Sequence, residues 1–273
     1  MTLAFGDREA ARSLLRWHVD CGVDEAIGHQ PVDRFAQPPA RPARPTATPA
    51  PKPRTPNAAP PAPPPALAST SASEAMARDL AGQARTLDEL RAAIDGFEQC
   101  GLKHTAMNTV FADGNPDADL MLVGEAPGAD EDRQGKPFVG MSGRLLDRML
   151  GFAGFSRQRN AYIANILPWR PPGNRKPTPV EVTLCLPFIQ RHIELKRPRV
   201  VMLLGGTAVS SLLHTSQGIT RLRGRWRTLE VGQADVPIMP TYHPAYLLRQ
   251  PRFKGDAWQD LLEVKERLER AGD

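Results

Sequence analysis

The chain has 273 residues, enough for one large or two small domains, and 41% of them are hydrophobic. A formal net charge of +5 leaves room for a polyanionic partner. Three cysteines without close spacing exclude a disulfide scaffold, no apolar run approaches the ~18–20 residues of a membrane span, and no secretory pattern precedes the early Asp7 and Glu9, so a soluble, cytoplasmic, monomeric protein is expected.

Residues 1–29 read as an N-terminal amphipathic helix: Leu14, Leu15, Trp17, Val19 and Val23 recur at helical spacing and Asp7 offers a cap. Trp17 and Cys21, four apart, read as a packed pair. Residues 30–72 form a linker that carries about half of the 28 prolines; such composition cannot build a core. Its Arg41, Arg44, Lys52 and Arg54 could add weak attraction to nucleic acid, or the stretch is a plain tether. The remaining residues, 73–273, hold the folded domain. Residues 73–96 are expected to be helical, with Thr86 and Glu89 as a capping box. Thr109-Val110-Phe111 reads as a short strand and Asp113 to Pro116 as a turn.

The run Leu120 to Val123 is of strand type and breaks at Gly124. Glu125, Pro127, Gly128 and the acids Asp130, Glu131 and Asp132 follow, then Pro137-Phe138-Val139-Gly140. Ser142-Gly143 opens a helix with apolar positions at Leu145, Leu146, Met149 and Leu150. The pattern is strand, long glycine-rich loop, helix N-terminus. No GxxxxGK[ST] phosphate cradle is present. Further strands are expected at 161–168, 200–204, 224–231 and 237–240, and helices from Pro179 to about Arg197, over 207–214 and over 254–271. This alternation predicts an α/β fold: a doubly wound, mainly parallel sheet with helices on both faces, in three layers. In such sheets ligands sit at the carboxyl ends of the strands. The Glu125 loop with Phe138, then Asn165, then His243 all fall at successive strand ends.

The blocks Gly124-Glu125-Ala126-Pro127-Gly128, Pro137-Phe138-Val139-Gly140 and Ser142-Gly143 resemble those of the uracil-DNA glycosylase superfamily, family 4 type. The resemblance extends through Asn165 with its Arg170-Pro171-Pro172-Gly173-Asn174-Arg175 loop, the segment Arg221 to Trp226, and Pro240 to Arg249. It covers about residues 97–265. It implies uracil-containing DNA as partner and hydrolysis of the N-glycosidic bond. Such enzymes take the base out of the stack and read it in a pocket. By the same resemblance Glu125 is the catalytic carboxylate for water or cation, and His243 the donor to the leaving base. Phe138 stacks the base, Asn165 reads its edge, Glu131 lies near uracil C5, and Gly128 and Ala129 offer backbone N–H groups. Ser142, Thr207 and Arg249 are candidate DNA contacts, Arg249 being as readily a solvated loop residue. A catalytically silent DNA-binding or partner-recruiting homologue is the alternative, and a small-nucleotide hydrolase a third reading. Family 4 members resemble one another in holding a [4Fe–4S] cluster on four cysteines. At those positions this chain reads Phe97, Cys100, Trp169 and Cys185. No cofactor and no metal are therefore expected, and Cys100 and Cys185 are either free thiols or a disulfide.

Overall fold

The structure is a computed structural model that describes residues 70–232 and 234–270. The expected N-terminal helix and nearly all of the linker lie outside the described residues. The end of the linker does not: helix α1 already begins at its residues 70–72, spanning Thr70–Gln83.

Six strands form one sheet in the order β1-β3-β2-β4-β6-β5. They are β1 (Ala112–Gly114), β2 (Leu120–Gly124), β3 (Ala161–Asn165), β4 (Val200–Leu204), β5 (Arg227–Val231) and β6 (Ala234–Thr241). The four inner strands are parallel, and β1 and β5 are antiparallel edges. Strands β2, β3 and β4 are buried throughout, as their unbroken apolar runs require of parallel strands covered on both faces.

The chain passes from β2 to β3 on one side and then returns past β2 to β4 on the other. Right-handed crossovers therefore place the two connections on opposite faces. Met121, Val123, Tyr162, Ala164, Val201 and Leu203 point into one core, with α1, α2 (Leu87–Gly96), α5 (Pro179–Lys196) and α6 (Gly206–Leu212). Leu120, Leu122, Ala161, Ile163, Val200 and Met202 point into the other, with α4 (Met141–Phe152) and α9 (Lys254–Arg270). The alternation is the period of two of a strand.

Several expected boundaries move. Residues 73–96 are not one helix but two: the chain breaks after Gln83, and Thr86 restarts it by accepting from the Glu89 N–H at 3.1 Å. The Glu89 carboxylate accepts from the Arg85 N–H, one residue before the cap, so the box is incomplete. At Thr178 the box is complete. The first strand is Ala112–Gly114 rather than 109–111; Asp113 and Gly114 look like turn formers but pair with Ile163 and Tyr162. Strand β3 ends at Asn165, after which the Ile166 and Leu167 N–H groups donate to the Gly124 and Glu125 carbonyls. The long motif loop contains α3 (Ala129–Gln134), and two short helices not expected from the sequence are α7 (Ile219–Leu222) and α8 (Pro244–Arg249).

Candidate active site

Register sets the site. Gly124 is level with Asn165, and Leu204 with Thr241. The carboxyl ends of four parallel strands therefore present Glu125, Asn165, Gly205 and, two residues past Thr241, His243 on one rim. Over that rim lies a cleft of ≈480 Å³. Glu125, Gly128, Glu131, Phe138, Ser142, Asn165, His243 and Arg249 line it. Ala129 is exposed and Thr207 half-buried, and neither lines the cleft.

Gly124 is buried at the end of β2. A Cβ there would lie 2.5 Å from Asn165 Oδ1 and 2.6 Å from the edge of the Phe138 ring. The amide and the ring thus converge on a backbone without a side chain. Asn165 is 6% exposed, and among the described residues its Oδ1 is the one buried side-chain polar atom without a hydrogen-bond partner. A buried acceptor left unpaired is costly, and such costs gather at functional sites. The Phe138 and His243 rings stand 5.5 Å apart, tilted by 30°.

Glu131 ties the loop together from inside. Its Oε2 accepts from the Gly128 N–H at 3.1 Å, and its Oε1 from the Val139 and Gly140 N–H groups at 2.9 and 2.8 Å. The Gly128 N–H is thereby engaged. The Glu125 carboxylate, in contrast, makes no hydrogen bond or ion pair among the described residues and faces the cleft.

His243 caps α8, and its Nδ1 accepts from the Ala245 N–H at 3.1 Å. A neutral imidazole that accepts at Nδ1 carries its proton on Nε2. Burial, aided by the nearby Arg249 charge and opposed by Glu131, pushes the His243 pKa down to about 4. The ring is therefore neutral near pH 7 and offers a donor. Two features fix its place. Gly205 has φ +94°, and a Cβ there would come within 2.9 Å of the His243 Cβ. Behind it, Thr241 Oγ1 donates to the fully buried Asp260 at 2.6 Å, and Arg223 donates to the same carboxylate and, at 2.8 Å, to the Asp256 carbonyl. The segment Arg221 to Trp226 thus braces the strand end that carries the histidine.

Further residues, not assigned a role from the sequence, complete the lining: Ala126, Pro127, Pro171, Asn174, Arg175, Lys176, Ala245 and Tyr246. The Arg170 to Arg175 loop and the Pro240 to Arg249 block were the available signals for most of them. Arg175 forms a two-pronged pair with Glu181 at 2.5 and 2.9 Å, and this pair holds the Glu181 carboxyl down to about 2. Arg249 makes no ion pair among the described residues.

The model of the uracil DNA glycosylase superfamily matches residues 111–262. The chain belongs to this superfamily. It is 37% identical to the type-4 uracil-DNA glycosylase of Archaeoglobus fulgidus over 185 residues, 66% of this chain and 92% of that protein. The type-4 uracil-DNA glycosylase of Saccharolobus solfataricus is 36% identical over 67% of this chain and 86% of its own length. That of Thermotoga maritima is 40% identical over 55% and 77%. The α/β fold and the glycosylase family are thus the ones expected from the motifs.

A four-thiolate cluster does not fit this glycosylase. Phe97, Cys100, Trp169 and Cys185 all lie in one core, none more than 1% exposed. Phe97 packs edge-on against Phe188 with centroids 5.2 Å apart, and the Trp169 Nε1–H donates to Thr109 Oγ1 at 3.2 Å. Cys100 and Cys185 are free, buried thiols that neighbour each other. This contact lowers the Cys100 pKa and, with burial, raises that of Cys185. Clusters of this kind need four such ligands, and no group of three or more His, Cys, Asp or Glu side chains among the described residues is placed to hold a metal. No helix among the described residues is long and apolar enough to cross a membrane.

Proposed function

We propose that this glycosylase excises uracil from DNA by hydrolysing the bond between uracil N1 and the deoxyribose C1′. The unpartnered Asn165 Oδ1 carries this reading. That oxygen can accept from uracil N3–H while the same amide donates to O4; cytosine presents the reversed pattern. A site that reads polar edges in this way can discriminate by about 10⁴–10⁵. Phe138 supplies the face for the flipped ring.

As the bond breaks, its electron pair passes to the base, and charge gathers on N1 and O2. The neutral His243 donates from Nε2 to O2, a fixed donor of the kind worth ~10²–10³ in rate. The unengaged Glu125 carboxylate stabilises the sugar cation and takes the proton of the water that adds at C1′. By the family resemblance Glu131, held against Gly128 and Gly140, would lie near uracil C5 and crowd a methyl group there. The Gly128 N–H is used by Glu131 and Ala129 does not line the cleft, so neither backbone N–H is assigned to the base. Ser142, Thr207 and Arg249 would touch phosphates, Ser142 and Arg249 from the rim of the cleft.

We also infer that the chain works without an iron–sulfur cluster, with packing of Phe97 and Trp169 in its place. The scattered exposed apolar side chains, among them Met107 and Phe152, are in keeping with a monomer, and the two free thiols with a reducing, cytoplasmic setting. The expected domain division, with the N-terminal arm outside the glycosylase and its boundary moved to Thr70 where α1 begins, is part of this proposal. Incubation with a uracil-containing oligonucleotide and chromatography of the free base tests the activity. Release of uracil is expected, with none from free deoxyuridine. Asn165→Asp should lower uracil release and admit some cytosine release. DNA binding without any base release would favour the silent homologue, and full uracil turnover by Asn165→Asp would remove the reading of the cleft.

A further inference from the structure

The ring that faces the cleft stands on an improbable backbone. Phe138 has φ +54°, in the left-handed region, which residues with a side chain rarely occupy. It is buried to 4% exposure, and a Cβ at Gly143 would fall inside its carbonyl group, so the turn is also tightly packed. Such a conformation persists only where the surroundings over-determine it.

Arg157 supplies that constraint. It lies in the connection between α4 and β3, and its side chain is 11% exposed. Its guanidinium donates from Nη1 to the Pro137 carbonyl at 2.7 Å and from Nη2 to the Phe138 carbonyl. The remaining donors are anchored on two elements: Nη1 on Asp113 Oδ2 of β1 at 2.9 Å, and Nε on Asp147 Oδ1 of α4 at 2.8 Å. The two carboxylates aim the fork, and the fork holds both carbonyls that flank the strained residue. On the other side Glu131 holds the Val139 and Gly140 N–H groups. The backbone from 137 to 140 is thus gripped by a cation at its carbonyls and by an anion at its N–H groups. Arg157 does not line the cleft.

We infer that Arg157 is a positioning residue for uracil excision, acting through Phe138 by locking its left-handed backbone so that the ring faces the base. The inference rests on Phe138 as the stacking face proposed above. A lysine could not replace it. Its ammonium is a point charge without the planar fork that serves two carbonyls and two carboxylates together.

The test is a double-mutant cycle with single-turnover uracil release as readout, thermal unfolding being recorded for each variant. Arg157→Gln and Arg157→Lys should each lower the rate by about 10–100-fold, the size expected when a reacting group is misplaced by about 1 Å. Asp147→Asn, at a half-exposed carboxylate, should give a smaller loss in the same direction. In a Phe138→Ala background the same substitutions should cost about twofold or less, because residues that act through one another are not additive. A merely structural Arg157 would lose the same factor in both backgrounds, and that result overturns the inference, as does a folded Arg157→Gln protein with the wild-type rate. If Arg157→Gln does not fold, Asp147→Asn carries the cycle alone under the same criteria. Phe138→Ala at the wild-type rate would overturn the stacking role itself together with this inference; a slow Phe138→Ala with additive Arg157 effects would overturn only the latter.

Discussion

Trp169→Ala tests the proposal that packing takes the place of an iron–sulfur cluster. Trp169 is 1% exposed within the core that also holds Phe97, Cys100 and Cys185. Removing a buried aromatic ring costs about 3–5 kcal/mol, cavity included. Losing the Nε1–H bond to Thr109 Oγ1 adds about 1 kcal/mol. Against a total stability of about 5–15 kcal/mol the variant should be near the edge of folding. At about 2–4 °C per kcal/mol for a domain of this size, the melting temperature should fall by about 8–24 °C. Urea melts followed by far-ultraviolet circular dichroism would measure the loss, with and without an iron chelator. Trp169→Cys is the informative companion, since it returns a thiol to the position but leaves most of the cavity. It should lose nearly as much, and chelator should change neither variant nor the wild type. A loss below about 1 kcal/mol would refute the packing argument, as would stoichiometric iron and acid-labile sulfide in the wild-type protein.

Glu131→Gln should cost about 1–3 kcal/mol in urea melts, because an amide offers one acceptor oxygen to three backbone N–H groups and turns its own N–H₂ toward one of them; an unchanged melt would show that the charge is dispensable. Burial holds His192 down to about 3, with Lys196 adding to the effect, and His243 down to about 4. Below pH 6.5 the unfolded chain therefore binds protons that the folded chain does not, and stability should fall from pH 6.5 toward 3. His192→Gln should shallow that slope, and an identical slope in both proteins would contradict it. Single-turnover excision should show no step at pH 6.5, since His243 is already neutral there. His243→Ala and Glu125→Ala should each lower the single-turnover rate by about 10²–10³ with DNA affinity kept; loss of affinity with normal cleavage at saturation would assign the residue to binding instead.

The inner strands were legible because both of their faces are covered, so Leu120 to Val123 and Val200 to Leu204 read as unbroken apolar runs. Glu125 and His243 were legible as strand-end residues because each sits beside a backbone break, Gly124 or Pro244. The edge strand β1 was not, since a strand that pairs on one side can be built from Asp113 and Gly114. Nor was α3, which is fixed through acids rather than apolar positions. Its buried Asp132 accepts from the Met107 and Asn108 N–H groups at 2.8 and 3.1 Å. Those partners lie some 24 residues away, and no local pattern marks them. Arg157 and Asp260 are hidden for the same reason: a charged residue carries no sign in the sequence of whether it meets water or a buried partner.

Gly124, the last residue of β2, matters for more than strand pairing. The amide that would read the base and the ring that would stack on it both rest within 2.7 Å of where its Cβ would be. A single methyl group there would act as a plug built into the chain, present in every molecule and never dissociating. It would press the ring and the amide away from each other before any DNA arrived. The strand would still pair with its neighbours, since every backbone group of β2 would be unchanged. The site therefore depends on a tolerance set by one hydrogen atom, and a protein could lose its chemistry at position 124 with its sheet intact.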